Sequence, residues 1–244
     1  MKYPNLVFDL YGTLVDIHTE EDTPEIWQKL AFFYGYHGAG YAPQELRTAW
    51  QAALAAQDAA AGQSYEGFPD LPIEPIFAQL FTAKGVPAGE SLPTQAAQLY
   101  RVLCTEYLRL YPGVKEALAA LRADGHRLWL LSNAQAAYTA PEIRFLGLEP
   151  CFDAMYLSSD YRCRKPDPAF FRVLLDGQKL DPADCLMIGN DATTDVAGAN
   201  AVGMDALYLH TNLSPQIPAK TARYLLEETD WSRILSALRQ ICAE

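Results

Sequence analysis

The chain has 244 residues, half of them hydrophobic and a fifth charged, and 30 acidic against 19 basic side chains give a net charge of −11. This is globular composition, long enough for one large domain or a domain with an insert, and it excludes intrinsic disorder and fibrous repeats. The acidic balance argues against a nucleic-acid-binding surface, which needs clustered Lys and Arg, but leaves room for a local site that takes an anionic substrate.

In chain order, residues 6–8 form a short apolar run that ends in Asp9, with Gly12 three residues on. This pattern predicts a buried strand feeding a tight turn. Residues 16–111 read as helical throughout, with no strand among them. Thr23-Pro24 opens one helix with Pro at its first position. An Ala-rich helix over 45–61 stops at Gly62, a third over 73–83 stops at Gly85, and a fourth over 93–110 stops before Pro112.

After Tyr111 helix and strand alternate. A helix over 114–123 closes at Gly125. An apolar strand over 128–131 runs into Ser132-Asn133, and a weaker strand covers 154–157. A helix over 168–175 precedes a strand over 185–188 that ends at Gly189. A helix over 195–202 ends at Gly203, a strand follows over 206–209, and a terminal helix covers 231–241. Continuous apolar strands separated by helices predict an α/β fold with a parallel sheet covered on both faces.

The longest apolar runs fall far short of the 18–20 or so residues of a membrane span, and the N-terminal segment lacks the apolar stretch of a secretory signal. Five scattered cysteines without a C-x-x-C pair predict free thiols in a reducing, cytoplasmic setting.

The polar residues that interrupt the strands gather at one edge. Asp9, Ser132, Asn133 and 189–191 all follow the C-terminal ends of predicted strands, where open α/β sheets bind their ligands. The helical stretch is inserted directly after the first strand, so it is expected to lie over that edge as a cap. Asp9 with Gly12-Thr13 reads either as a capped turn or as an exposed carboxylate nucleophile. Ser132-Asn133 reads as a helix cap or as a hydroxyl and amide for an anionic group. Lys165 before Pro166 is a solvated loop residue unless it points into the cluster, where it would offset the charges of nucleophile and substrate. The acids at 191 and 195 either cap a helix or supply a hard-cation ligand.

Four motifs in this order resemble the haloacid dehalogenase-like (HAD) hydrolase superfamily. They are DxYGTL at 9–14, LSNA at 131–134, RKPDPAFF at 164–171 and IGNDxxxDVxGAxxxGM at 188–204. The resemblance implies a three-layer, Rossmann-like α/β core made of 1–15 and 112–244, with a helical cap over 16–111, as in capped members of subfamily I. It implies a two-step displacement in which Asp9 forms a covalent aspartyl intermediate that water hydrolyses. Ser132 and Asn133 would hold the transferred group together with the Tyr11-Gly12 turn, Thr13 would assist, and Lys165 would neutralise charge at Asp9. In a phosphatase, Mg2+ would be held by Asp9, the Tyr11 carbonyl and Asp191, or Asn190 by the alternative alignment. Asp195 would support the site from behind or cap a helix.

The first motif departs from the phosphatase pattern. Most phosphatase members carry an Asp two residues after the nucleophile as general acid and base, and Tyr11 stands there in this chain. A phenol of pKa about 10 is a poor base at neutral pH, and losing a positioned acid–base costs about 10²–10⁴-fold. Tyr at this position resembles the metal-independent L-2-haloacid dehalogenases. Against that relationship, Phe171 stands where those enzymes have Tyr, and the segment 26–29 has no Arg. His18 and Asp16 are candidate substitutes for the missing acid. The expectation is a Mg2+-dependent hydrolase of a small phosphorylated metabolite, a phosphate ester, acting as a monomer or homodimer without nucleic-acid or membrane partners. A dehalogenase and a catalytically silent binding protein are the alternatives.

Overall fold

The computed structural model describes residues 1–61, 68–216 and 221–243. The first strand, β1 (Asn5–Phe8), is wholly buried and delivers the chain into the turn at 9–14. There follow β2 (Val15–Thr19) and the helices α1 (Pro24–Tyr36), α2 (Pro43–Ala61), α3 (Glu74–Thr82) and α4 (Ser91–Cys104). The chain returns along β3 (Thr105–Leu110) and enters the alternating region. This comprises α5 (Val114–Ala123), β4 (Arg127–Ser132), α6 (Ala136–Phe145), β5 (Ala154–Leu157), a short α7 (Ser158–Tyr161) and α8 (Pro168–Gln178). It continues through β6 (Cys185–Gly189), α9 (Ala197–Ala201), β7 (Asp205–His210), β8 (Tyr224–Glu227) and α10 (Trp231–Ala243).

Six strands form one sheet in the order β5-β4-β1-β6-β7-β8, and every neighbouring pair is parallel. Parallel pairing needs helical crossovers, which cover both faces. One face packs Phe8, Leu130 and Ile188 against α5 and α10, where Trp231 and Leu118 are buried. The other face packs Val7, Trp129 and Met187 against Phe170, Phe171 and Val196. The chain is therefore an α/β protein of three layers. All five strands expected from the sequence belong to this sheet. β8 extends its edge, and its half-exposed side chains gave no apolar run to read.

Helices α1–α4 have a core of their own. Trp27, Trp50 and Tyr100 sit ring against ring, and Tyr34 packs on Phe81. Ala137 of α6 joins this second core, so the helical unit rests on the sheet domain through α6.

Two expectations need correction. The stretch 16–111 does contain strands: β2 and β3 pair antiparallel from Val15↔Leu110 to Thr19↔Thr105. The fourth helix accordingly ends at Cys104 rather than continuing to 110. No Gly or Pro separates helix from strand there; Thr105 changes the backbone to extended φ/ψ. The helix expected at 195–202 starts earlier, as a wide π-type turn over Ala192–Val196 that runs into α9. The stop predicted at Gly62 lies outside the described residues. Helix α6 was not legible because Pro141 falls in its interior. Proline has no N–H for the carbonyl one turn back, and Gln98 Nε2 from α4 donates to that Ala137 oxygen instead, at 2.9 Å.

None of the five cysteines is paired. Among the described residues no helix is long and apolar enough to cross a membrane.

Candidate active site

Asp9 leaves β1 as its backbone N–H donates to Ile188 O of the neighbouring strand. The next residues fold back at once: the N–H groups of Leu14 and Val15 both donate to Leu10 O, at 2.8 and 2.9 Å, and Gly12 takes φ +81°. A side chain at position 12 would need that strained backbone and would also strike the amide of Asn190. Two further contacts pin the turn. Thr211 Oγ1 donates to Gly12 O at 2.7 Å, and the Trp231 indole donates to Thr13 O at 3.1 Å. The carboxylate of Asp9 is thus fixed in a buried position at the C-terminal edge of the sheet.

Lys165 is its main partner. The ammonium is buried and donates to Asp9 Oδ1 at 2.7 Å, to Asp195 Oδ1 at 2.6 Å and to Leu131 O at 2.8 Å. Burial works against the charge on Lys165, but the fields of Asp195 and Asp9 outweigh it and hold its pKa above the ordinary lysine value. Asp195 is pushed the other way for a carboxylate: burial raises its pKa, Lys165 opposes this, and Asp9 adds to it. One ammonium thus serves two carboxylates, which leaves the triad one negative charge when all three are ionised.

Ser132 and Thr13 complete the surroundings of Asp9. Ser132 Oγ lies 3.4 Å from Oδ1, and Thr13 Oγ1 lies 3.3 Å from Oδ2. Both are long for hydroxyl bonds. Asn133 uses its amide as a clamp on the main chain of Lys165. Its Nδ2 donates to Lys165 O at 3.0 Å and its Oδ1 accepts from Lys165 N at 2.8 Å, which leaves the second amide hydrogen for another acceptor. Asp191 accepts from both the N–H and the hydroxyl of Thr193 through Oδ1, at 2.7 Å each, so it caps the π-type turn. Asp195 Oδ2 accepts from Asp191 N at 3.0 Å.

The structure thus brings Asp9, Thr13, Ser132, Lys165 and Asn190 into one cluster, with Asn133 and Asp191 on its rim. Tyr11 contributes its backbone to the turn, while its side chain is engaged elsewhere. Its hydroxyl donates closely to Glu142 and lies 3.0 Å from Thr139 Oγ1, both on α6. Arg101 of α4 donates to the same Glu142 at 2.6 Å and lies over the Tyr11 ring, 5.3 Å from its centroid. Burial and then the charge of Glu142 drive the phenol pKa well above its usual value, with Arg101 opposing. Glu142, Thr139 and Arg101 have no signal in the sequence, because they are distant from Tyr11 in the chain and Pro141 masks the helical pattern of α6.

The substitute acids considered for Tyr11 have other roles. Asp16 is paired with Arg109, whose Nη2 lies at 2.7 Å, and accepts from Asn212 at 3.0 Å. His18 is exposed on β2, near Glu20 and Glu106.

No three His, Cys, Asp or Glu side chains come together as a metal cluster among the described residues. The oxygens beside Asp9 nevertheless suit a hard cation. The Thr13 hydroxyl faces both Asp9 Oδ2 and Asn190 Oδ1, at 3.3 and 3.4 Å, and its single proton serves only one of them. Mg2+ takes one or two carboxylates and keeps several waters, so a sparse donor set of Asp9, Asn190 and Asp191 fits it.

A pocket of about 280 Å3 opens between the helical unit and the core, lined by Leu54, Gln57, Asp70, Gln135 and Arg164 among others. Gln135 follows Asn133 by two residues and Arg164 directly precedes Lys165. Gln135 Nε2 donates to Asp70 Oδ1 at 2.8 Å and Ser158 Oγ donates closely to Asp70 Oδ2. Burial lifts the pKa of Asp70 above the usual carboxylate value, against those hydrogen bonds and the charge of Arg164. A larger, mainly apolar cavity of about 390 Å3 is bordered by Arg101, Tyr138 and Phe145, and neither cavity is lined by the side chains that touch Asp9.

The haloacid dehalogenase-like hydrolase family matches residues 3–203, from the strand that presents Asp9 through the turn that carries Asp195. The chain belongs to this family. It is 37% identical over 95 residues to a phosphoglycolate phosphatase of Nitrosospira multiformis, covering 39% of this chain and 41% of that protein. It is 30% identical over 128 residues to a phosphoserine phosphatase of Thermus thermophilus, covering 52% and 51%. These matches span about half the length of the curated relatives or less. Among solved structures, a 2-haloacid dehalogenase from Pseudomonas syringae superposes with a TM-score of 0.68 at 18% identity, covering 98% of this chain and 99% of that one. A HAD phosphatase from Thermococcus onnurineus gives 0.59 at 21%, covering 99% and 97%. At these identities the superpositions establish the shared fold.

Proposed function

We propose that this HAD-like hydrolase is a Mg2+-dependent phosphatase that removes phosphate from a small phosphorylated metabolite through an aspartyl-phosphate on Asp9. The observation that carries this reading is the buried Asp9 carboxylate at the strand end, held 2.7 Å from the Lys165 ammonium. A carboxylate approaching an anionic phosphoryl group needs fixed positive charge beside it, and Lys165 supplies that charge without needing to move. The phosphatase names of the two curated relatives support the choice of phosphoryl chemistry.

In this reading Asp9 attacks phosphorus. Ser132 Oγ, the free amide hydrogen of Asn133 and the backbone of the Tyr11-Gly12 turn bind the phosphoryl oxygens, and Thr13 steadies Asp9. Water then releases phosphate and restores the carboxylate. Asp9, the Tyr11 carbonyl and Asp191 or Asn190 would hold Mg2+, which when bound offsets phosphoryl charge. Residues 1–15 and 112–244 form the catalytic domain, and 16–111 the cap. The pocket beside Gln135 and Arg164 receives the remainder of the substrate, whose size it limits.

The test is phosphate release from a panel of small phosphate esters and acyl phosphates, with Mg2+ and with chelator. Turnover should require the metal and disappear in Asp9→Asn. Chloride release from a 2-haloacid without metal would replace this reading with dehalogenation, and turnover that survives Asp9→Asn would remove Asp9 as nucleophile.

A further inference from the structure

Breaking a P–O bond leaves an electron pair on the departing oxygen. Without a positioned acid an alkoxide departs about 10²–10⁴-fold more slowly, whereas a carboxylate, enolate or phenolate leaves as a stable anion. The groups around Asp9 therefore bear on the kind of leaving group the enzyme can expel.

Asp9 is surrounded by Lys165, Ser132 and Thr13. The Lys165 proton positions are occupied by Asp9, Asp195 and a backbone carbonyl. The two hydroxyls are weak acids. Tyr11 lies two residues from the nucleophile, but its hydroxyl proton is directed to Glu142. That Glu142 is itself fixed: Arg101 donates to both of its oxygens, at 2.6 and 3.3 Å, and both side chains are largely shielded from solvent. Thr139 closes the other side of the phenol, and the Arg101 guanidinium covers its ring. Turning the hydroxyl toward a leaving group would break its bond to a charged acceptor and expose a buried ion pair.

From this geometry we infer a substrate class, on the basis of the phosphatase reading above. The Arg101–Glu142 pair locks the Tyr11 hydroxyl out of the reaction. The enzyme accordingly acts on phosphate carried by a weakly basic oxygen, in an acyl phosphate or the phosphate ester of an enol or phenol. In the first step an Asp9 oxygen bonds to phosphorus, the bond to the leaving oxygen breaks, and the electron pair departs with that oxygen as an anion, which stays a carboxylate from an acyl phosphate and takes a proton from solvent when it is an enolate or phenolate. In the second step water adds to phosphorus, the P–O bond to Asp9 breaks, the carboxylate is regenerated, and the proton of the water passes to phosphate and solvent.

The experiment compares kcat/KM for acetyl phosphate, a series of substituted phenyl phosphates and simple alkyl phosphates, all with Mg2+. Acetyl and phenyl phosphates should exceed alkyl phosphates by at least about 10²-fold, the scale of a missing acid. Within the phenyl series the rate should fall steadily as the leaving phenol becomes more basic. In Tyr11→Asp, which puts an unlocked carboxyl at this position, the alkyl-to-phenyl ratio should rise at least about tenfold. Alkyl and phenyl phosphates turned over within about tenfold by the unaltered enzyme would overturn the inference, whether or not the variant folds. So would an unchanged ratio in a folded Tyr11→Asp. Failure of the phosphatase reading looks different: no phosphate release from any member of the panel, or release independent of Asp9.

Discussion

Lys165 is the residue on which the site's electrostatics turn. Replacing it with Met would leave Asp9 and Asp195 facing each other across a buried gap with no cation. Removing one partner of a buried ion pair costs about 3–5 kcal/mol, so Lys165→Met should lower stability by that order in denaturant melts and abolish turnover. Adding Asp195→Asn to Lys165→Met should restore much of the stability and none of the activity. Additive losses in that pair of variants would show that the two side chains do not share one electrostatic site. Asp9, Ser132, Asn133 and Lys165 were legible in the sequence because each stands just past a strand end or in a short motif. For Asp195 the sequence offers a supporting acid or a helix cap, and only the fold shows its bond to Lys165. Glu142 could not be read at all, since it is marked only by contacts with Tyr11 and Arg101, 131 and 41 residues away.

At the scale of elements, the seam between α4 and α6 rests on a proline. Pro141 removes the N–H that Ala137 O would accept, and Gln98 from the other unit supplies the donor. Gln98→Ala should cost about 1–3 kcal/mol, the penalty for leaving a buried carbonyl without a partner. With Pro141→Ala the helix regains its own N–H, and Gln98→Ala should then cost little. A double-mutant cycle on thermal melts measures this coupling, and equal Gln98→Ala costs in both backgrounds would reject it. The same proline hid α6 from sequence reading, whereas α5, with a clean apolar stripe and Gly125 beyond its end, was placed at its observed bounds. The β2–β3 ribbon was missed for a related reason, since nothing in the sequence punctuates the passage from α4 into β3.

For the molecule as a whole, two groups weaken stability toward low pH. His126 is buried, with Nδ1 donating to Tyr3 O at 2.9 Å. Burial pushes its pKa below the ordinary 6.5, against that hydrogen bond. The unfolded chain therefore takes up this proton first as pH falls. The contribution of His126 is complete above about 6.5 and declines below it, down to the folded-state value. Asp16 behaves as a depressed carboxylate: burial raises its pKa, but hydrogen bonds from Asn212 and Arg109 outweigh that. Its contribution is present above about 3.9 and is lost as pH falls below that toward the folded value. Toward acid, His126 should contribute a first decline in Tm beginning near pH 6.5 and Asp16 a second below about pH 4, while the raised carboxyls of Asp195 and Asp70 work in the opposite direction above pH 4. His126→Gln should remove the first decline and leave the second. A first decline of undiminished size in His126→Gln would assign it to another group.

The antiparallel ribbon of β2 and β3 also bears on how such a chain can change over time. Thr19 and Thr105 are cross-strand partners, so the path out to the four helices and the path back lie side by side. Topologically, the 85 or so residues between them are a long loop closing a hairpin, and loop length adds to the cost of closure only logarithmically. A gene could therefore exchange one such cassette for another at a single two-strand seam while the six-stranded sheet and the Asp9 turn kept their connectivity. The ribbon lets the sheet domain and the four-helix unit be inherited separately.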